Sequence, residues 1–278
     1  MKLEKIWAVY FSGTGTTRRT VERIAGGIAS RLNLPAESVD FSRPAVRQET
    51  LGFGEKDLVV FGTPVYAGRV PNVLLPFLRE RVVGGGALVV PVVLFGNRNY
   101  DDALIELRNI LTADGMHPIA AGAFVGEHSF SRVLGADRPN AEDEALMDEF
   151  AARVAELAAG LDAAPVKSAA VRGQEPLRPY YTPRDRAGNP INILKVKPKT
   201  DLSRCGGCGL CANLCPMGSI DPADVSTVRG ICIKCCACVK GCPTGAKFFD
   251  DAGYLYHQHE LEAQYARPAE NEVFYIQL

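Results

Sequence analysis

Nine cysteines fall between Cys205 and Cys242, and none lies elsewhere in the 278 residues. Eight of them form two runs: Cys205, Cys208, Cys211, Cys215 and Cys232, Cys235, Cys238, Cys242. Adding 27 to each number of the first run gives the second. Each run reads C-x2-C-x2-C-x3-C and is followed by a proline, Pro216 or Pro243. Thiolates at this spacing are ligands of cubane iron–sulfur clusters. The first three wrap three irons of one cubane, and the fourth points toward the other cluster. The expected sets are therefore Cys205, Cys208, Cys211 and Cys242 at one 4Fe–4S cluster, and Cys232, Cys235, Cys238 and Cys215 at a second. Structural zinc uses two C-x2-C pairs at wider separation and fits two four-cysteine runs poorly. Cys236 is left over, and an ordinary buried small residue is expected there. A disulfide framework would staple much more of the chain, so the clustering points to a reducing compartment, the cytoplasm.

A second chemical feature lies near the start. Ser12-Gly-Thr-Gly-Thr-Thr17 joins an apolar run to a helical pattern, where backbone N–H groups and the helix dipole favour a phosphate. Its hydroxyls add hydrogen-bond donors. It lacks the lysine of a Walker A loop and the third glycine of the dinucleotide fingerprint. A hydroxyl-rich loop without a cation suits a phosphomonoester bound without metal. Two further loops, Thr63-Pro-Val-Tyr-Ala-Gly-Arg-Val-Pro71 and Phe95-Gly-Asn-Arg-Asn-Tyr-Asp101, belong at the same edge. Tyr66 and Tyr100 offer flat faces for an aromatic ring, and Gly68 and Gly96 permit close approach.

These loops need strands and helices to hold them. Residues 6–11, 39–41, 57–63, 87–95 and 119–125 read as strands, with Pro91 requiring a bulge in the fourth. Helical patterns run over 17–32, 72–83, around Leu104 to Leu111, and from about Asn140, whose Glu142, Asp143 and Glu144 suit a helix N-terminus. The alternation predicts a doubly wound, five-stranded parallel sheet over residues 1–162, with ligands at the carboxyl ends of its strands. Residues 163–196 form a proline-containing connector whose Tyr180 and Tyr181 favour a docked, semi-rigid strap. Residues 197–250 form the cysteine module. Residues 251–278 are a C-terminal extension with a short helix over His257 to Arg267.

The three loops resemble those of the flavodoxin family, and the whole chain resembles the fused flavodoxin–ferredoxin proteins of anaerobes over nearly its full length. Gly96-Asn-Arg-Asn-Tyr-Asp101 and Gly126-Glu-His-Ser129 are similar to that narrower group. The likeness implies a flavodoxin-like α/β domain carrying FMN, followed by a small α+β bacterial ferredoxin-like domain carrying two 4Fe–4S clusters. It implies that Ser12, Thr14, Gly15, Thr16 and Thr17 hold the phosphate. Pro64, Tyr66, Ala67 and Gly68 would flank one side of the flavin, and Asn97, Arg98, Tyr100 and Asp101 the other. The first 162 residues count 17 basic against 21 acidic, less acidic than ordinary long flavodoxins.

Function follows as an expectation: an electron carrier relaying between FMN and two clusters, joining one- and two-electron partners such as ferredoxin-like donors or reductases. The rival is an FMN-dependent oxidoreductase acting on a quinone or small electrophile, with Tyr66, Tyr100 and His128 as proton donors. Arg69 and Arg98 are candidates for compensating reduced flavin. His128 is expected to be a hydrogen-bonded structural residue, and His257 and His259 diverge on a helix. A net charge of −1 and the absence of a DNA-binding motif argue against nucleic acid. No apolar run approaches a membrane span. A homodimer passing electrons between subunits stays open.

Overall fold

Apolar runs and helical stretches alternate in the fold as they do along the chain. The computed structural model describes residues 1–277. Five parallel strands, β1 (Lys5–Tyr10), β2 (Ala36–Asp40), β3 (Asp57–Pro64), β4 (Leu88–Phe95) and β5 (Ala120–Val125), form the sheet. They pair in the order β2-β1-β3-β4-β5. This is the flavodoxin-like doubly wound order, whose direction of winding reverses between β1 and β3. Helices α1 (Thr16–Leu32) and α4 (Ala141–Ala159) cover one face, and α2 (Leu75–Arg81) and α3 (Ala103–Ala113) the other. Ile24 and Ile28 of α1 join Phe150 and Val154 of α4 in one core. Phe41, Phe61, Phe77, Leu104 and Leu107 build the second. Each such side chain contributes about 1.5–3 kcal/mol by leaving water. Asn140 caps α4 by accepting from the amides of Glu142 and Asp143, and Asp143 returns the bond to Asn140 N at 2.8 Å.

Pro91 sits in β4 beside Phe61, in the middle of the sheet. On its other side, Val89 pairs with Pro118 and Val92 with Gly122. The neighbouring chain thus spends one more residue than β4 between those pairs. That bulge removes the need for a proline N–H.

Two elements depart from expectation. The C-terminal helix α7 (Ala252–Gln264) starts five residues early, with Asp251 as its cap. Beyond it, β6 (Glu272–Tyr275) pairs antiparallel with β5, from Glu272 opposite Ala123 to Tyr275 opposite Ala120. The periodicity of Glu272-Val-Phe-Tyr275 is too short to declare a strand by itself. The chain therefore begins and ends in the same sheet, and the cysteine module is anchored on both sides.

The connector is held as a strap. The buried Asp102 carboxylate accepts from the amides of Gln174 (3.0 Å) and Arg178 (2.7 Å) and pairs with the Arg178 guanidinium. Tyr180 donates its hydroxyl to Val70 O, and Tyr181 N donates to Ala67 O, both at 2.8 Å. No helix among the described residues is long and apolar enough to cross a membrane.

Candidate functional site

The cysteine module keeps its 27-residue repeat in three dimensions. Helices α5 (Leu210–Leu214) and α6 (Ala237–Lys240) are related by the offset, and a short antiparallel pairing of residues 199–200 with 247–248 closes the unit. Cys215 Sγ accepts the amide of Ser219, and Cys242 Sγ that of Ala246, four residues on in each case. Left-handed backbone recurs at the same offset: Gly207 and Lys234 (φ 68° and 54°), Gly209 and Cys236 (71° and 58°), Gly218 and Gly245 (59° and 64°).

Cys232, Cys235, Cys238 and Cys215 line one small apolar hollow, walled by Pro216, Met217, Ile220, Ile231, Ile233 and Phe249. These are the four thiols of the expected interleaved set. Cys236 also borders the hollow, but its Sγ lies 3.4 Å from Tyr254 Oη and 3.5 Å from Lys234 O, in a local core with Phe249. Of the other set, Cys211 is buried, Cys205 lies near it and Cys208 is exposed. Cys242 follows Gly241, which packs on Leu214 of α5. Among the described residues, no three His, Cys, Asp or Glu side chains converge on a single-ion position. A tetrahedral zinc draws its thiolates to about 2.3 Å from one point; here the thiols surround a hollow, and soft thiolate donors around apolar walls fit an iron–sulfur cluster.

At the switch point, β1 runs into the hydroxyl-rich loop and then α1. Gly15 is the N-cap residue, left-handed at φ 89°, with no side-chain cap and no acidic residue in the first turn. Ser12 Oγ accepts the amide of Arg18 at 3.1 Å, and Ser42 Oγ accepts that of Ser12 at 2.7 Å, which fixes the turn. Thr14, Thr16 and Thr17 border a channel of about 60 Å³ that also meets Pro64, Tyr66 and Cys235. Ser12, Thr14 and Gly15 also face a groove of about 370 Å³ that carries Arg18, Arg43 and Lys240. A helix N-terminus without acidic residues in its first turn, with hydroxyls and nearby cations, suits a phosphate.

Beside the channel lies a cavity of about 230 Å³. The two share Val65, Tyr66, Phe95, Gly96, His128 and Ser129. Tyr66, Ala67, Gly68 and Arg98 line it as the sequence predicts. Tyr181 and Pro183 of the strap, and His257 and Leu261 of α7, also line it. A flat aromatic ring with a phosphate tail fits this pair of spaces.

Pro64 borders the channel but not the cavity, and three further residues predicted to flank the ring line neither space. Tyr100 is buried in the second core and donates to Glu272 of β6 at 2.7 Å. Asn97 donates to Tyr265 O (2.6 Å) and Arg267 O (3.1 Å) and accepts from Ala269 N, so it fastens the C-terminal tail. Asp101 pairs with Arg98 behind the loop. The loop turns through left-handed Asn97 and Asp101, with Arg98 and Asn99 on the cavity and Asn97, Tyr100 and Asp101 off it. Arg69, too, is structural: it pairs with buried Glu106 at 2.6 Å and lies over Tyr180. Asn99 and Lys234 also line the cavity without having been expected there, and Tyr181, expected only to dock the strap, does so as well. Only Lys234 carried a signal, standing where the repeat has Gly207.

His128 borders both spaces. Its Nδ1 accepts the amide of Phe130 at 3.1 Å, so the proton of the neutral ring sits on Nε2. Burial, with the Lys240, His257 and Arg98 charges, pushes its pKa down to about 3. Gly96 must be glycine, since a Cβ there would lie 2.4 Å from the His128 ring. His257 stacks on Tyr181, and burial with Arg98 lowers its pKa to about 4. His259 on the same helix is exposed. Burial holds the Tyr66 phenol well above its ordinary pKa, aided by the nearby thiols of Cys235, Cys236 and Cys232.

The two halves meet at this point. A Cβ on Gly13 would lie 3.1 Å from Cys235 Cβ and 3.6 Å from its Sγ. Lys240 of α6 pairs with Glu127 and donates to His128 O at 2.7 Å. Arg47 donates to Pro216 O at 2.6 Å while also holding Phe41 O and Ser42 O. The hollow of the interleaved cysteines and the cavity of the sheet edge thus share Ile233 and approach through Cys235.

Residues 198–221 match the 4Fe-4S binding domain family, Fer4. The match holds the first cysteine run; the second lies beyond it. No curated protein matches the chain. Among solved structures it is similar to a flavodoxin from the domain Archaea, at 17% identity over 55% of this chain and 96% of that one, with a TM-score of 0.40. A Streptococcus pneumonia TIGR4 flavodoxin is similar at 19% identity over 56% and 99%, with a TM-score of 0.38. Rubredoxin oxygen:oxidoreductase from the anaerobe Desulfovibrio gigas is similar at 16% identity over 58% of this chain and 38% of that one, with a TM-score of 0.36. Strand order and register, rather than these likenesses, carry the fold assignment.

Proposed function

We propose that the chain is an internal electron relay between one FMN, held at the β1–β3 switch point, and two 4Fe–4S clusters held by the interleaved cysteine runs. FMN exchanges one or two electrons when bound, and each cluster exchanges one. The chain's own part is to bind, position and shield. Ser12, Thr14, Gly15, Thr16 and Thr17 hold the phosphate; Tyr66, Ala67, Gly68 and Arg98 flank the ring. His128 stays neutral at pH 7, with a donor on Nε2, and Tyr66 stays protonated.

The carrying observation is the contact of Gly13 with Cys235. It supports the reading, because Cys235, an inner-cluster ligand in that reading, borders the channel beside the ring cavity. A relay needs its centres close and water kept out, and the strap, α7 and the Ile233–Lys234 turn supply the cover. Because the strap and α7 cover part of the cavity while Cys208 is exposed, the outer cluster is the point at which one-electron partner proteins exchange electrons. A ferredoxin-like donor or a reductase is the partner class.

Anaerobic reconstitution followed by iron, sulfide and flavin analysis tests the reading. Eight irons and one FMN per chain are expected. Four irons, stoichiometric zinc, or a protein that takes up no flavin contradicts it.

A further inference from the structure

One buried cation lies on the wall between the cavity and the cysteine module. Lys234 is 9% exposed, and its ammonium donates only to neutral carbonyls, Leu194 O at 2.8 Å and Cys232 O at 2.9 Å. It also borders the cavity. Among the described residues the cavity lining contains no carboxylate; its charged side chains are Lys234 and Arg98. Arg98 is already paired with Asp101 and stacked over Tyr181. The two histidines there, His128 and His257, are neutral.

Its backbone gives a second, independent indication. Lys234 is left-handed at φ 54°, where the repeat-related position in the other half is Gly207 at φ 68°. Glycine takes this conformation freely, whereas an L side chain costs about 1 kcal/mol. The first half has the unstrained residue and does not border the cavity. The second half keeps a lysine, strained and desolvated, at the position that does.

We propose that Lys234 is a positioning cation that favours the reduced flavin over the oxidised one, making the flavin the sink for electrons arriving through the clusters. The proposal rests on the cofactor reading above. Two-electron reduction takes two electrons, delivered singly by the clusters as they are reoxidised, and one proton from solvent. The bound flavin then carries one more negative charge. A cation fixed at the cavity wall stabilises that charge more than mobile solvent cations can, because it is already in place when the charge forms. The clusters are recharged by the one-electron protein donor.

The test compares Lys234→Gly, which adopts the backbone of the other half, with Lys234→Arg, which retains the charge. Both are reconstituted anaerobically, and the flavin midpoint is measured by optical redox titration beside the oxidised-FMN dissociation constant. In Lys234→Gly the preference for reduced over oxidised FMN is expected to fall about tenfold, or about 30 mV for a two-electron couple. Lys234→Arg should stay within threefold of the unmodified protein. If Lys234→Gly loses iron, Lys234→Gln with its full iron complement is titrated in its place. Bound FMN with an unchanged midpoint in the neutral variant overturns the role of Lys234 alone, as does an equal fall in Lys234→Arg. An unmodified protein that binds no FMN overturns the cofactor reading itself, and the inference with it.

Discussion

Gly13 and Glu106 illustrate two kinds of constraint on single residues. Gly13 leaves room for Cys235, so Gly13→Ala should push the inner cysteine turn away. FMN affinity, followed by recovery of flavin fluorescence, should fall several-fold while iron content stays at eight. Glu106 is 1% exposed and neutralises Arg69. Removing one partner of a buried pair costs about 3 kcal/mol, so Glu106→Gln should lower the melting temperature clearly and leave FMN affinity nearly unchanged, because Arg69 faces the strap. The two buried histidines predict a pH dependence. Both have folded pKa values depressed below the ordinary 6.5, to about 3 and about 4. As pH falls below 6.5 the unfolded chain takes up protons that the folded chain refuses, so stability falls with pH through the window from 6.5 to about 4. For His257 alone the loss between pH 7 and pH 5 is at most about 2 kcal/mol. Anaerobic denaturant titrations between pH 7 and 5 should show it, and His257→Gln should flatten the slope.

At the scale of elements, the strap is the most testable part. Asp102 gathers two backbone amides and Arg178, and its net pKa lies below the usual carboxylate range: burial opposes this, but the Arg178 and Gln174 hydrogen bonds outweigh it. Asp102→Ala strands those amides, at about 1–3 kcal/mol each. The expected result is rapid native-state proteolysis within residues 163–196 and weaker FMN retention; an uncut strap would contradict the anchoring described above. The strands, their doubly wound parallel arrangement and the start of α4 were legible because the apolar periods and the acidic turn after Asn140 agree locally. Less legible were the loop after β4 and the tail. Whether Asn97, Tyr100 and Asp101 face the ring or the core depends on two left-handed residues, and residue type alone does not reveal them. Likewise β6 exists because β5 offers an open edge, a tertiary cause absent from its own four residues.

For the whole molecule, the cysteine repeat was legible to the residue, since its 27-residue offset can be read from the sequence alone. The mutual arrangement of the two units was not. It depends on Arg47, Lys240 and the Gly13–Cys235 approach, each an isolated side chain with no periodic signature. The return of the chain into the sheet through β6 holds the module at both ends, so the account predicts that electrons cross from cluster to flavin inside one chain. The most direct measurement is anaerobic stopped-flow or flash reduction of the reconstituted protein with a one-electron donor, following cluster oxidation and flavin reduction together over a range of protein concentrations. The account predicts a first-order cluster-to-flavin phase whose rate does not change with protein concentration. A rate proportional to protein concentration, or clusters that stay reduced beside oxidised flavin, would contradict it.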